Sequence, residues 1–242
     1  MTGSPQMADN PLSAAATEVA LPTRDLARAY RTLSDRYHDA PANDNFRLGP
    51  KHASAYLVAR LPATYAVVRG VLEEIARLRP NWRPASMLDI GAGPGTAMWA
   101  AAATFSSIDQ ITSVEWSPAM IDVGRRLASQ SRFKAVRDGD WHRNSAVAEL
   151  PASADLVVAG YLIGELAPAV LPQTIANWWS ATVDELVIIE PGTPAGFARI
   201  LHARTRLLAA GATVTAPCPS DETCPMAGSD WCHFSKRLAR SP

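Results

Sequence analysis

Cys218, Cys224 and Cys232 are the three cysteines of this 242-residue chain, and they fall in one stretch with the spacing Cys-x5-Cys-x7-Cys. The residues between them, Pro219 to Thr223 and Pro225 to Trp231, are turn-forming and polar, which places the thiols on an irregular loop and not on a core strand or helix face. Free structural cysteines prefer apolar burial, so the placement points to ligation. Thiolates suit iron-sulfur clusters and zinc alike. His233 offers a fourth donor for a Cys3His zinc site, although neighbouring side chains such as Cys232 and His233 are hard to aim at one ion.

A second group of residues could hold a nucleotide. Met87-Leu88-Asp89-Ile90-Gly91-Ala92-Gly93-Pro94-Gly95-Thr96 reads as a strand, a glycine turn and a helix start. Gly91 and Gly93 permit a tight turn and close backbone approach, and the following helix offers free N–H groups at its positive end. A dinucleotide fold wants Gly-x-Gly-x-x-Gly, whose third glycine would fall at Thr96, so nicotinamide and flavin are disfavoured. The segment resembles motif I of class I S-adenosylmethionine-dependent methyltransferases. That resemblance implies that Asp89 orients the turn and the methionine end of the cofactor, which the Gly91, Gly93 and Gly95 turn contacts through backbone. Glu115 ends the next expected strand, where a carboxylate can accept both ribose hydroxyl hydrogens. Trp116 is expected to pack on the adenine. Asp138 and Asp140 follow the expected third strand, and Asp140 is placed at the adenine amino group, the alternative being a pair of solvated turn acids.

No catalytic residue is assigned. Gly160-Tyr161-Leu162-Ile163-Gly164-Glu165-Leu166 lacks the Asn/Asp-Pro-Pro-aromatic motif that holds an amino group for methylation. Pro217-Cys218 has the dipeptide of a cytosine-C5 nucleophile, but lies too late in the chain and within the cysteine set. Glu165 is either a base or pocket residue or a helix-start carboxylate favoured by the dipole, and Tyr161 is equally ambiguous.

The elements that position these groups follow from periodicity. Residues 1–23 lack it and read as a disordered leader. Apolar residues recur at helical spacing over Arg24 to Tyr37 and Ser54 to Leu78, with Pro62 kinking or restarting the second stretch, so residues 24–84 form an N-terminal helical segment. From 85 to 215 short apolar strands alternate with helices, the pattern of an α/β, Rossmann-like, doubly wound and mostly parallel sheet. Strands are expected at 86–90, 110–115, 133–136, 154–159 and 185–190, with helices near 96–105, 118–129, 169–181 and 195–210. Residues 216–242 are the cysteine loop.

Composition narrows the function classes. The chain is 48% hydrophobic and 19% charged with zero net charge, and no apolar run approaches the ~20 residues of a membrane span. The first twenty residues carry Asp9 and Glu18 but no Lys or Arg, which argues against a signal or transit peptide and predicts a cytoplasmic protein with reduced thiols. Of the 23 bases only Lys51, Lys134 and Lys236 are lysine. Arginine favours bidentate phosphate contacts, and a basic surplus gathers around the cysteine loop. Arg199, His202 and Arg206 share one helix face that could meet an RNA backbone.

Arg60-Leu61-Pro62-Ala63-Thr64-Tyr65, the glycine turn, Gly164-Glu165-Leu166, Glu190-Pro191-Gly192-Thr193-Pro194 and Ala216-Pro217-Cys218-Pro219 through Asp230-Trp231-Cys232-His233-Phe234 together resemble the methyltransferase-like family associated with the small ribosomal subunit. The resemblance implies a [4Fe-4S] iron-sulfur cluster held by Cys218, Cys224 and Cys232, with a fourth ligand expected beyond Pro242 in a shortened C-terminal segment. Zinc is the second expectation and unligated thiols the third. It also implies S-adenosyl-L-methionine as cofactor and the small ribosomal subunit or its rRNA as partner, with no membrane and no DNA. The leading expectation is a methyltransferase acting there. A non-catalytic assembly factor and a small-molecule methyltransferase are the alternatives.

Overall fold

Local signals set the helices that precede the sheet. In the computed structural model, which describes residues 9–19, 22–39, 49–218, 220–226, 228 and 230–238, the Asn10 side-chain oxygen accepts from the Leu12 and Ser13 N–H groups. It thereby caps α1 (Pro11–Glu18), with proline at the first position. Then come α2 (Thr23–Asp39), α3 (Pro50–Ala59) and α4 (Leu61–Leu78). The chain restarts between α3 and α4 at Arg60, because Pro62 lacks an N–H and fits the first helical turn. The disordered-leader expectation is corrected for residues 11–18: Ala14 and Ala15 are buried, and Glu18 accepts from Arg126 Nε at 2.7 Å and Gln130 Nε2 at 3.2 Å. The cap and small alanine side chains let this short helix dock. Residues 1–8 of that leader lie outside the described residues.

The α/β part runs β1 (Ser86–Ile90), α5 (Thr96–Thr104), β2 (Gln110–Glu115), α6 (Pro118–Ser129), α7 (Lys134–Arg137), β3 (Asp140–Arg143), β4 (Ala154–Gly160), a 3-10 turn at Ile163–Glu165, α8 (Leu171–Ser180), β5 (Thr182–Ile189) and α9 (Pro194–Ala209). All four pairings are parallel and the order is β3-β2-β1-β4-β5, so the sheet is doubly wound with its direction reversing between β1 and β4.

One expected strand is wrong. Phe133–Val136 contributes to α7, whose entry is fixed by the Ser131 hydroxyl accepting from Phe133 N–H, and the third strand is the polar run Asp140–Arg143. A four-residue run with three apolar residues, Phe133, Ala135 and Val136, does not distinguish helix from strand.

Apolar burial welds the helical segment to the sheet. Leu61, Val68, Leu72 and Ile75 of α4 share one cluster with Met87 of β1, Leu156 and Val158 of β4 and most of α5. The other face packs Leu88, Ile90, Val157 and Ala159 against Ile175 and Trp178 of α8 and Ala203 of α9. Both faces are therefore dry, and the carboxyl ends of β1 and β4 are left as the place where a ligand meets the sheet.

Candidate functional site

The register at the sheet's carboxyl edge builds the glycine turn. Ile90 pairs with Val114, and the N–H groups of Gly91 and Ala92 both donate to Val114 O, at 2.9 and 3.0 Å. This draws the turn over the end of β2, where Glu115 accepts from Gly93 N–H through Oε2 at 2.8 Å and from Ser117 N–H through Oε1 at 2.7 Å. Gly91, Gly93 and Gly95 have φ of 67, 55 and 82°, a region that costs other residues dearly. A methyl group at Gly93 would meet nothing within 4 Å, so the turn is open there, whereas one at Gly91 would lie 3.0 Å from Leu162 and one at Gly95 2.6 Å from Met98 Sδ.

Beneath the turn lie two buried polar atoms without partners, Asp89 Oδ2 and Thr96 Oγ1. Asp89 is 2% exposed, and its carboxyl is pushed up to about 7, first by burial and then by the Glu115 charge, against a hydrogen bond from the Met98 amide. Burial also raises the Glu115 carboxyl, with the Ser117 and Gly93 amides opposing. An orphaned carboxylate oxygen below an open glycine turn suits a ligand carrying positive charge and hydrogen-bond donors, so the residues present fit the cofactor that motif I implies.

Opposite the turn, Tyr161 follows β4 with φ of 59°, a left-handed conformation of order 1–3 kcal/mol in cost that collects at functional edges. Burial raises its phenol, and Glu190 adds to the shift while Arg60 opposes it. Tyr56 on α3 is held up to about 12, first by burial, with the Glu165, Glu115 and Tyr161 charges adding to it and a Thr64 hydrogen bond opposing. Glu190, just past β5, has a side chain 1% exposed and accepts from Gly164 N–H and Arg199 Nη1, both at 3.4 Å. A methyl group at Gly164 would lie 2.9 Å from Arg199 Nη1 and 3.2 Å from Glu190 Oε2, so glycine is what lets this carboxylate fasten the 3-10 turn.

Asp89, Gly91, Gly93, Gly95, Glu115 and Trp116 are thus gathered at one edge. Trp116 is exposed and carries the Arg143 guanidinium 5.6 Å over its ring. Asp140 is placed apart from them: it opens β3 opposite Thr112 and binds His142 Nε2 at 2.8 Å, and Arg143 is the β3 residue level with Glu115. Sequence reasoning gave no site role to Tyr56, or to Arg60, Leu162 and Glu190, which it quoted only within longer motif segments. An acid directly after an apolar strand was the available signal for Glu190, as it was for Glu115.

The cysteine segment is strung past β5 and α9. Thr215 Oγ1 donates to Glu185 Oε1 at 3.0 Å, a carboxylate that also accepts from Arg79 Nη1 at 2.6 Å. At the far end Trp231 Nε1 donates to Gly192 O at 3.3 Å, and Trp231 stacks on His233 with ring centres 5.8 Å apart. The Cys232 thiol is raised by burial and then by the charges of Cys218 and Cys224. The soft-donor chemistry of the three thiols fits a thiophilic metal. Among the described residues, however, no three His, Cys, Asp or Glu side chains are drawn together tightly enough to hold an ion. Arg199 faces Glu190 and Arg206 Nε donates to His202 Nε2 at 2.8 Å, so the expected basic face of α9 is partly engaged within the chain. Among the described residues no helix is long and apolar enough to cross a membrane.

A parallel sheet of order β3-β2-β1-β4-β5 with a Gly-x-Gly-x-Gly turn at its switch point defines a class I methyltransferase-like, Rossmann-like protein. Residues 50–242 match the family described as mitochondrial small ribosomal subunit Rsm22, and the chain belongs to that family. It is 28% identical over 195 residues to the human mitochondrial ribosome assembly protein METTL17, covering 75% of this chain and 42% of that protein. It is 26% identical over 214 residues to the mitochondrial Rsm22-cox11 tandem protein 2 of Schizosaccharomyces pombe, covering 78% of this chain and 28% of the relative. The chain thus spans less than half the length of either relative. Among solved structures it resembles magnesium protoporphyrin IX methyltransferase from Synechocystis, with 13% identity, TM-score 0.48 and coverage of 77% of this chain and 86% of that one. It also resembles the pyocyanin biosynthetic protein PhzM, with 18% identity, TM-score 0.43 and coverage of 72% and 49%. The cytoplasmic expectation is overturned by the curated relatives, all of them named as mitochondrial, which point to mitochondria. The composition of the first twenty residues was no guide to compartment.

Proposed function

We propose that the chain binds S-adenosyl-L-methionine at the β1–β4 switch point and serves the small ribosomal subunit or its rRNA, in assembly and as a methyltransferase. The observation that carries the cofactor reading is the buried, unpartnered Asp89 Oδ2 beneath a glycine turn open at Gly93. When bound, the cofactor supplies an activated methyl group. The chain's own part is to present Asp89 to positive charge, to let Gly91, Gly93 and Gly95 bring backbone close, and to release Glu115 from the Gly93 and Ser117 amides toward the ribose hydroxyls. Trp116 covers the adenine side. Asp140 drops out of the proposed set because it opens β3, remote from the carboxyl edge. Cys218, Cys224 and Cys232 are proposed as ligands of an iron-sulfur cluster, with zinc as the alternative. The ribosomal partner rests on family membership.

Isothermal titration of the chain with S-adenosylmethionine tests this reading. Glu115→Ala and Asp89→Ala should each weaken binding by roughly 10- to 100-fold, the loss expected for hydrogen bonds to charged groups. Heat of binding unchanged by either substitution would sink it. A second reading, a non-catalytic assembly factor, is favoured by one observation: Gly160–Leu166, after β4, lacks the Asn/Asp-Pro-Pro-aromatic motif that holds an amino group for methylation. If Glu115→Ala abolishes cofactor binding yet ribosome association and subunit assembly stay normal, this second reading holds.

A further inference from the structure

The stretch between Cys218 and Cys224 is tied to the body of the fold by α9. Arg204 Nη2 donates to Ser220 O and to Glu222 O, each at 2.8 Å, and Arg204 Nε is buried. Both carbonyls belong to the five residues that separate the first two cysteines. Two further bonds shape the same turn: Val214 N–H donates to Asp221 Oδ1 at 2.7 Å and Glu222 N–H donates to Ser220 Oγ at 3.1 Å. Residues 220–222 are thus held by protein groups alone.

We infer that Arg204 is a positioning residue for the thiol site: its guanidinium, by gripping the carbonyls of Ser220 and Glu222, preforms the Cys218–Cys224 loop before any metal arrives. This rests on the ligand role proposed above for the cysteines, but it does not require the metal for its test. A cysteine pair on a free polar loop must lose chain entropy when an ion gathers it. A pair on a loop already held has lost much of that freedom at folding. The donor must reach from α9 to two carbonyls at once, which the long arginine side chain does through Nη2, whereas lysine offers a strongly hydrated point charge on a flexible stem. Removing an interaction that orients metal ligands from outside their own shell characteristically weakens metal affinity about 10- to 100-fold.

The test compares wild type, Arg204→Met and Arg204→Lys, each reduced and stripped by chelator, with circular dichroism and thermal melting confirming that the fold persists. Two measurements are made. Dibromobimane, which fluoresces when it bridges two thiols, reports Cys218–Cys224 closeness without metal once bridged peptides are identified by mass spectrometry. Competition with a chromophoric chelator gives cobalt and zinc affinity. The expected result is slower bridging and roughly 10- to 100-fold weaker metal binding in Arg204→Met, with Arg204→Lys intermediate. Unchanged bridging in Arg204→Met overturns the inference, whatever the metal does. If wild type bridges readily, Arg204→Met does not, and neither binds metal or a reconstituted cluster, the metal-ligand reading falls while the role of Arg204 in shaping the loop stands. Should Arg204→Met lose its fold, Arg204→Gln, whose shorter amide cannot reach both carbonyls, takes its place, and wild-type bridging there overturns the inference.

Discussion

Asp89 carries an electrostatic prediction that follows from its surroundings. Its carboxyl lies at about 7 because burial and the Glu115 charge both disfavour ionisation. In the unfolded chain it would titrate near 3.8, so between those values the folded state binds the extra proton and stability falls as pH rises. A cationic ligand reverses the preference, since it favours the ionised form. Cofactor affinity should therefore increase as pH is raised from about 6 to 8, and titrations in buffers of different ionisation enthalpy should show proton release near pH 7. Asp89→Asn should flatten that profile. A wild-type affinity independent of pH across this window would remove Asp89 from the binding role. Glu190 makes a different forecast: Glu190→Gln keeps the shape but weakens the hold on Arg199 and the Gly164 amide, so the 3-10 turn should show faster hydrogen exchange at residues 163–165 with little loss of melting temperature.

At the scale of elements, what was legible tracks how much apolar pattern an element carries. β1 and β4 are buried on both faces and read as largely apolar runs, β2 is marked by Ile111 and Val114, and α6 begins with a Ser117 cap and Pro118, so each stands close to its expected bounds. β3 is a four-residue edge strand spelled Asp-Trp-His-Arg, whose one strong signal is Trp141, and the apolar Phe133–Val136 beside it drew the assignment instead. That error carried Asp140 to the wrong end of the strand. The glycine turn and Glu115 were legible because a strand end needs particular residue types there. Arg204 and Leu162 were not, since a long side chain reaching another element leaves no periodic trace. The same scale carries a test of the cysteine segment: a side chain at Gly192 would meet His233 Cβ at 3.0 Å. Gly192→Val should lift residues 231–233 from the β5–α9 turn, seen as faster proteolysis there and a changed Trp231 environment. A protease pattern identical to wild type would mean that this contact does not hold the segment.

For the whole molecule, stability is expected to reside where the helical segment meets the sheet. Leu72 of α4 is fully buried in the cluster that joins α4 to β1 and β4. Leu72→Ala should cost about 2–5 kcal/mol, which for a chain of this size lowers Tm by roughly 5–15 °C. A shift under about 2 °C in calorimetry would show that α4 folds independently of the sheet. That outcome would also make the helical segment a folding unit of its own, with the expected boundary near residue 84.

β5 ends the sheet, and among the described residues only β4 pairs with it. The polypeptide from Thr215 to Trp231 is fastened at Glu185 within that strand and at Gly192 just beyond it. A row of unpaired backbone groups invites templated pairing with another molecule, and natural sheets guard against it by covering or charging the border. The cysteine segment, whatever it ligates, is therefore expected to act as a guard rail as well. A chain ending at Ala212 should keep its crevice yet self-associate with rising concentration, a solubility defect that no metal supplement would repair.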